Sequence, residues 1–166
     1  VVVPHPRAEI DRERAIKALG GRVQGCVAAR DGWRDPQVRM PRGMRATHAA
    51  FLEVVRHGDG PAVAAALDRG FDPHIRDERG RTLLHLLPWM IDHSLLPRLL
   101  RAGLDIDARD ADDETPLHAA VDHGSPDLVR ALLAGGADRN ATGGRPYPRR
   151  AAWTNRPELA FLRTGA

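Results

Sequence analysis

The sequence predicts an all-α solenoid of stacked, antiparallel helix pairs, because one short motif recurs at a fixed spacing. The pentad 115–119 (Thr-Pro-Leu-His-Ala) follows the pentad 82–86 (Thr-Leu-Leu-His-Leu) by 33 residues. The same spacing separates Gly70, Gly103 and Gly136, and a leucine stands three residues before each glycine. A fixed period of this length is typical of stacked copies of one small unit that cannot bury its apolar face alone.

The copy around the second pentad shows why each unit should form two helices. Thr115 suits the N-cap of the first helix, and Pro116 suits its first turn, where no intrahelical N–H bond is lost. Gly124 should end that helix, and Ser125 should cap the next one. Gly136 should end the second helix, after which the following copy begins. The buried side of the second helix is predicted from apolar residues at helical spacing: Leu128, Val129, Leu132 and Leu133.

The preceding copy departs from this pattern at two prolines. Pro88 falls inside the first helix, where it removes a backbone hydrogen bond to Leu84, so we expect a kinked or shortened helix. Pro97 should be harmless, because with Ser94 as N-cap it lies in the first turn of the second helix.

Residues 49–142 resemble the ankyrin-repeat family, whose unit is a β-turn finger followed by two antiparallel helices. The resemblance depends on the Thr-Pro-Leu-His-x-Ala motif, followed at the family's offsets by a leucine pair and by Gly-Ala-Asp-x-Asn. It implies an ankyrin-repeat domain at 46–166, with repeats at about 46–76, 77–109 and 110–142 and a divergent cap at 143–166. Repeat arrays need atypical polar end units, so divergence at both ends is expected.

Residues 1–45 lie outside the period and are predicted to form an N-terminal helical appendage and linker. Residues 8–19 have the pattern of one helix, which Gly20 and Gly21 should end. The basic stretch 39–45 has the composition of an exposed connector. Trp33 is a candidate for packing the appendage against the first repeat.

Composition favours a water-soluble domain. Charged residues make up 28% of the 166 residues, and no apolar run reaches the length of a bilayer span. Cys26 is the single cysteine, which excludes an internal disulfide. The start of the chain lacks the apolar core of a secretory signal. We therefore expect a cytoplasmic protein, most simply a monomer, with no membrane contact. Because the chain begins with Val1, a longer parent protein stays open.

Charge is distributed unevenly along the chain. Residues 1–47 carry 10 basic and 5 acidic residues, residues 48–141 carry 10 and 16, and residues 142–166 carry 5 and 1. The array is thus acidic between basic ends. Two interpretations of its acidic run are open: turns that favour aspartate, or a docking surface for a basic protein partner. The run consists of Asp105, Asp107, Asp110, Asp112, Asp113 and Glu114.

Catalytic and cofactor chemistry finds little support in the residues. Lys17 is the single lysine, and no phosphate-cradling Gly-x-x-x-x-Gly-Lys motif is present. The only two serines, Ser94 and Ser125, are both predicted caps, and Cys26 has no neighbouring motif of a catalytic thiol. The sequence therefore predicts a protein that is not an enzyme and that needs no cofactor.

A shared metal site is also disfavoured. His85 and His118 occupy the same place in adjacent repeats, where helices stack about 8–10 Å apart, whereas two zinc-bound nitrogens each lie about 2 Å from the ion. The ankyrin resemblance implies instead that the motif histidine is a structural hydrogen-bonding residue.

The sequence disfavours nucleic acid as a partner, although the ends of the chain are basic. Arginine outnumbers lysine 24 to one along the whole chain, which indicates a compositional bias of a GC-rich coding sequence, and the central array is acidic. An adaptor for nucleic acid would have to use the terminal arginines and aromatics: Arg39, Arg42, Arg45, Arg145, Arg149, Arg150, Tyr147 and Trp153.

The resemblance implies a non-catalytic protein-interaction module that contacts its partner with the finger tips and the inner surface of the first helices. Trp89 is the best single anchor, although it could instead pack around the Pro88 kink. A targeting or inhibitory module of a larger enzyme or toxin-like protein, and a nucleic-acid adaptor, are the alternatives. The matched positions are Glu78, Arg79, Arg81, Trp89, Met90, Ala111, Asp112, Glu114, Asp122 and His123.

Overall fold

The structure is a computed structural model that describes residues 34–35, 42–90 and 93–143. The predictions for the helix at 8–19, Trp33, Cys26, the capping copy beyond residue 143 and the C-terminal arginines lie outside the described residues.

The described residues form three consecutive helix pairs, which confirms the predicted all-α architecture. The six helices of the described residues are Arg42–Arg56 (α1), Gly60–Asp68 (α2), Leu83–Leu86 (α3), Leu96–Arg101 (α4), Pro116–His123 (α5) and Pro126–Ala134 (α6). The pairs are α1 with α2, α3 with α4, and α5 with α6. Between α3 and α4 the chain makes two 3₁₀ turns, at Leu87–Trp89 and His93–Leu95.

The caps of the third pair agree with the sequence. Thr115 is the N-cap of α5 and adopts extended backbone, and Pro116 is the first helical residue. Gly124 ends the helix in the left-handed conformation at φ 76°, which a residue without Cβ adopts at little cost. Ser125 is the N-cap of α6.

Pro88 shortens the first helix of the second pair, as predicted. Helix α3 has 4 residues and ends at Leu86, whereas the corresponding helix α5 has 8. The chain continues from α3 as a tighter 3₁₀ turn.

The predicted cap at Ser94 is wrong. Ser94 lies inside a 3₁₀ turn, and Leu95, which is itself in helical backbone, immediately precedes α4. Because the turn runs directly into the helix, the residue that precedes α4 is Leu95 and not Ser94. Pro97 does lie in the first turn, as expected.

The core runs between the helix pairs. Phe51 and Val55 of α1 are buried, and the rings of Phe51 and Phe71 lie 5.3 Å apart between centroids. Helix α1 begins at Arg42, so the expectation of a connector through residue 45 is wrong at its C-terminal end.

One ion pair ties the segment before α1 to the first inter-repeat turn. The Arg34 Nε donates to Asp72 Oδ2 at 2.7 Å, and Asp72 Oδ1 accepts from the backbone N–H of His74 at 3.0 Å. Burial alone would raise the pKa of Asp72, but these hydrogen bonds outweigh it and lower the pKa.

The fingers are tight turns linked in a row by arginines at their bases. In the second repeat, Arg76 pairs with Thr82 in an antiparallel bridge. The Arg76 Nη1 donates to the Gly80 carbonyl of its own finger at 2.6 Å and to the Arg109 carbonyl of the next at 3.1 Å. Arg109, 33 residues later, repeats this with the carbonyls of Asp113 and Thr142. Each finger is therefore held at a fixed position relative to the next one.

No helix within the described parts of the chain is long and apolar enough to cross a bilayer. Across the same residues, no group of three or more His, Cys, Asp or Glu side chains is arranged to hold a metal ion.

Candidate functional site

An open groove of about 290 Å³ lies between the second and third fingers and the first helices behind them. We call it the finger groove. Seven of the ten residues predicted to bind a partner line it: Arg79, Arg81, Trp89, Asp112, Glu114, Asp122 and His123. The other lining residues, His85, Asp110 and Ala119, were not in the predicted set. Asp110 could have been found, because it stands 33 residues after Asp77, the first residue of the preceding finger turn.

The remaining three predicted residues lie elsewhere. Glu78 and Ala111 are exposed at the finger tips but do not line the groove. Met90 is only 2% exposed and belongs to the hydrophobic core, so its prediction as a partner contact is wrong. The backbone turns extended at Met90 after the 3₁₀ turn, and its N–H bonds to the Leu87 carbonyl. Trp89 and Met90 thus point to opposite environments.

Trp89 is the exposed large hydrophobic side chain of the described residues, at 42%. The Arg81 guanidinium carbon lies 5.3 Å from the centroid of the indole ring, within the range of a cation–π contact. On α5 of the next repeat, the His123 ring lies 5.5 Å from the indole with an interplanar angle of 49°. The indole therefore joins two repeats while part of its surface faces solvent.

The buried carboxylate of Asp77 stabilises the second finger through hydrogen bonds. This carboxylate is 2% exposed and accepts the backbone N–H groups of Arg79 and Arg81, both at 2.9 Å. It also accepts from the Arg81 side chain, through Nε at 2.8 Å and the neighbouring terminal nitrogen at 2.7 Å. The charge of Arg81 is consequently compensated within the molecule.

Most carboxylates of the acidic run form hydrogen bonds or ion pairs that stabilise the finger turns. Asp110 Oδ1 accepts the backbone N–H groups of Asp112 and Glu114, both at 2.9 Å. Asp107 accepts the backbone N–H of Asp138 at 2.9 Å, and Asp113 pairs with Arg109 at 3.3 Å. Asp105 likewise accepts the Asp107 N–H, at 3.0 Å. The turn interpretation is confirmed for these aspartates, whereas Asp112 and Glu114 contribute side chains to the groove.

His85 forms the floor of the groove and has the structural role that the resemblance implied. Its Nδ1 accepts from the Thr82 backbone N–H at 3.2 Å, so the proton of the neutral ring belongs on Nε2. Nε2 then donates to the Glu114 carbonyl of the next finger at 2.9 Å. The Thr82 hydroxyl lies 2.9 Å from Nδ1 and completes this bonding. The ring therefore connects two repeats.

Stability should fall as the pH drops below neutrality, because buried histidines must stay neutral. Burial lowers the pKa of His48 and of His85 below the ordinary value of 6.5. The unfolded chain then binds more protons near this pH, so the two groups stabilise the fold fully above pH 6.5 and progressively less below it. Each histidine can contribute a slope of at most about 1.4 kcal/mol per pH unit.

Urea unfolding at pH 8, 7, 6 and 5 measures this effect. We expect little change in the midpoint between pH 8 and 7 and a clear decrease from pH 7 to 5. A midpoint that stays constant down to pH 5 would contradict the assignment of neutral, buried rings.

The folded repeats and their finger groove define a protein of the ankyrin class. A sequence profile described as ankyrin repeats in three copies matches residues 48–143, with a second, overlapping match at 90–160. The first match covers more than half of the chain, and the chain belongs to the ankyrin-repeat family. Ankyrin repeats generally mediate protein–protein interactions.

Curated relatives extend from animals to archaea. Human protein phosphatase 1 regulatory subunit 27 is 33% identical over 109 residues, which are 65% of this chain and 68% of that protein. Protein fem-1 homolog A of Danio rerio is 50% identical over 44 residues, 26% of this chain. This chain spans only 7% of the fem-1 protein's length. A putative ankyrin repeat protein of Pyrobaculum aerophilum is 39% identical over 80 residues, 48% of this chain and 30% of its own.

Proposed function

We propose that the chain is a non-catalytic binding module whose finger groove holds a segment of a protein partner with net positive charge. The observation that carries the proposal is the convergence of seven predicted contact residues, from two fingers and two first-helix regions, on one groove around the exposed Trp89. An aromatic ring that is fixed by its neighbours and partly open to solvent is typical of an interface anchor.

The charged residues that line the groove support a positively charged partner. The groove is lined by four carboxylates and two arginines. One of these arginines, Arg81, is already paired with the buried Asp77, which is outside the lining. Acidic side chains therefore outnumber basic ones among the lining residues. A lining of this composition favours a basic segment over an acidic one. Those carboxylates are Asp110, Asp112, Glu114 and Asp122.

The names of the relatives support a role that depends on binding rather than on catalysis. The human relative that covers most of this chain is called a regulatory subunit of a protein phosphatase. By analogy, this chain would control or recruit another protein through a surface contact.

Panning a random library of 12-residue peptides against the purified chain tests the proposal directly. We expect the recovered peptides to be enriched in arginine and lysine and to bind more weakly as salt is added. Trp89→Ala should reduce their affinity about 10-fold or more while the far-UV circular dichroism stays unchanged. Arg101→Ala, an exposed change on α4 away from the groove, is the matched control.

Two results would overturn the proposal. One is recovery of neutral or acidic peptides whose affinity is the same for the intact chain and for Trp89→Ala. The other is loss of folding in Trp89→Ala, which would show that the indole belongs to the core. Preferential binding of a labelled single-stranded DNA, abolished when the arginines at the ends of the chain are replaced, would favour the nucleic-acid alternative instead.

A further inference from the structure

We propose that Arg81 is a positioning residue of the finger groove: held by the buried Asp77, it fixes the Trp89 indole for binding and offers no free charge to the partner. The inference rests on the proposed function, since it assigns a division of roles within the same groove. It also changes the role predicted for Arg81, which the sequence suggested as a direct partner contact.

The first step is that Arg81 cannot move freely. The Asp77 carboxylate that holds it is itself fixed by two backbone N–H groups of its own turn, from Arg79 and Arg81. Two nitrogens of the guanidinium then contact the same oxygen, Oδ2, at 2.8 and 2.7 Å. The guanidinium is planar and presents its donors in a fixed fork, so a pair of this kind sets the direction of the plane as well as its place.

The second step is that this fixed guanidinium restrains the indole. Its carbon lies 5.3 Å from the Trp89 ring centroid, and the His123 ring lies 5.5 Å from the same ring. Trp89 is in a three-residue 3₁₀ turn and is 42% exposed, so the turn that carries it restrains the indole little. An anchor that is ordered before the partner arrives saves the entropy cost of ordering it during binding.

Arg79 provides a comparison within the same finger. It lies two residues before Arg81, it also lines the groove, and it is exposed. Its side chain forms no hydrogen bond or ion pair with any residue in the described ranges. Arg79 therefore contributes a positive charge that opposes a basic partner and has no ion-pair partner among the described residues. The charge of Arg81 is instead paired with Asp77.

The two arginines should respond oppositely to the same substitution. Arg81→Gln and Arg79→Gln each remove one positive charge, so a purely electrostatic effect would strengthen the binding of basic peptides in both. We expect Arg79→Gln to strengthen binding of the library-selected basic peptides about twofold to fivefold. Arg81→Gln should weaken it about threefold to tenfold, because Trp89 must then be ordered on binding. Arg81→Lys keeps the charge without the planar fork and should recover only part of the loss.

The free protein supplies a readout that needs no partner. In ¹⁵N-labelled protein, the indole Nε1–H signal of Trp89 can be assigned by its disappearance in Trp89→Phe. We expect the heteronuclear NOE of this signal to fall in Arg81→Gln and to stay unchanged in Arg79→Gln. Thermal unfolding of both variants shows whether the finger itself has been lost, and Arg81→Lys serves as the second test if Arg81→Gln unfolds.

These outcomes separate the inference from the proposed function. An indole signal that is equally ordered in Arg81→Gln and the intact chain overturns the positioning role, whatever the peptides do. Loss of order without any loss of affinity overturns the link between positioning and binding. Failure to recover basic peptides would refute the proposed partner, and the NMR comparison would still decide whether Arg81 positions Trp89.

Discussion

Gly58→Ala should lower the free energy of unfolding by about 3 kcal/mol, the sum of backbone strain and a steric clash. Gly58 ends α1 at φ 72°, in the left-handed region that side chains disfavour. A Cβ on this residue would lie 2.7 Å from the carbonyl oxygen of Trp89. This atom belongs to the backbone of the turn after Pro88, so it cannot rotate away as a side chain could. The variant should therefore loosen the contact between the first and second repeats.

Gly103→Ala is the matched control, measured in the same urea titration. Gly103 also has positive φ, at 85°, but among the described residues no neighbouring atom lies within 4 Å of its added Cβ. Gly103→Ala should lower the free energy of unfolding by only about 1 kcal/mol, which is the cost of backbone strain. The change in the entropy of the unfolded chain is the same in both variants. If the free energy of unfolding fell equally in the two variants, the turn at Trp89 would be able to move away from the added Cβ without an energetic cost. That result would contradict close packing between the repeats.

His85→Ala should cost about 3–4 kcal/mol, because it leaves both a cavity and unbonded polar groups. The side chain is fully buried. It receives the Thr82 backbone N–H and donates to the Glu114 carbonyl of the following finger. Without the imidazole, these groups lose their partner in a position that water reaches poorly. The loss should appear in the urea midpoint at pH 7.5, where the ring is neutral.

His123→Ala separates the role of a buried ring from that of an exposed one. His123 lies on the groove surface and contacts Trp89, so its removal should change stability by less than about 0.5 kcal/mol. His85→Ala should also remove the stability decrease that His85 contributes below pH 7. A His85 variant as stable as the intact protein would mean that the ring does not connect the two repeats.

Local chemistry explains why most of the fold could be predicted. A proline or glycine affects the backbone conformation of the one or two residues next to it. The ends of α5 and the shortening of α3 could therefore be predicted from the sequence. The predicted cap at Ser94 is wrong because capping depends on the backbone of the preceding turn, and Leu95 continues that turn in helical backbone into α4. Propensity alone does not show whether a serine before a helix is extended or already turning.

The groove could be predicted less completely, because neighbouring residues can face opposite environments. Trp89 and Met90 are adjacent apolar residues after the same proline, yet one is 42% exposed and the other 2%. The ankyrin resemblance implied both residues as partner-binding positions. The extended backbone at Met90 breaks the helical pattern and directs its side chain into the core.

By itself, the sequence determined the repeat period, the all-α class, the caps of the third repeat and the two fingers that line the groove. These features depend on local backbone preferences and on an apolar pattern that repeats every 33 residues. Only the tertiary structure decided which charges are compensated, since Asp77 pairs with Arg81 while Arg79, two residues earlier, makes no such pair with a described residue. It also decided that Trp89 faces the groove between Arg81 and His123. Burial and pairing depend on how each finger turn folds and on how the repeats stack, and a linear pattern of residue types does not contain those distances.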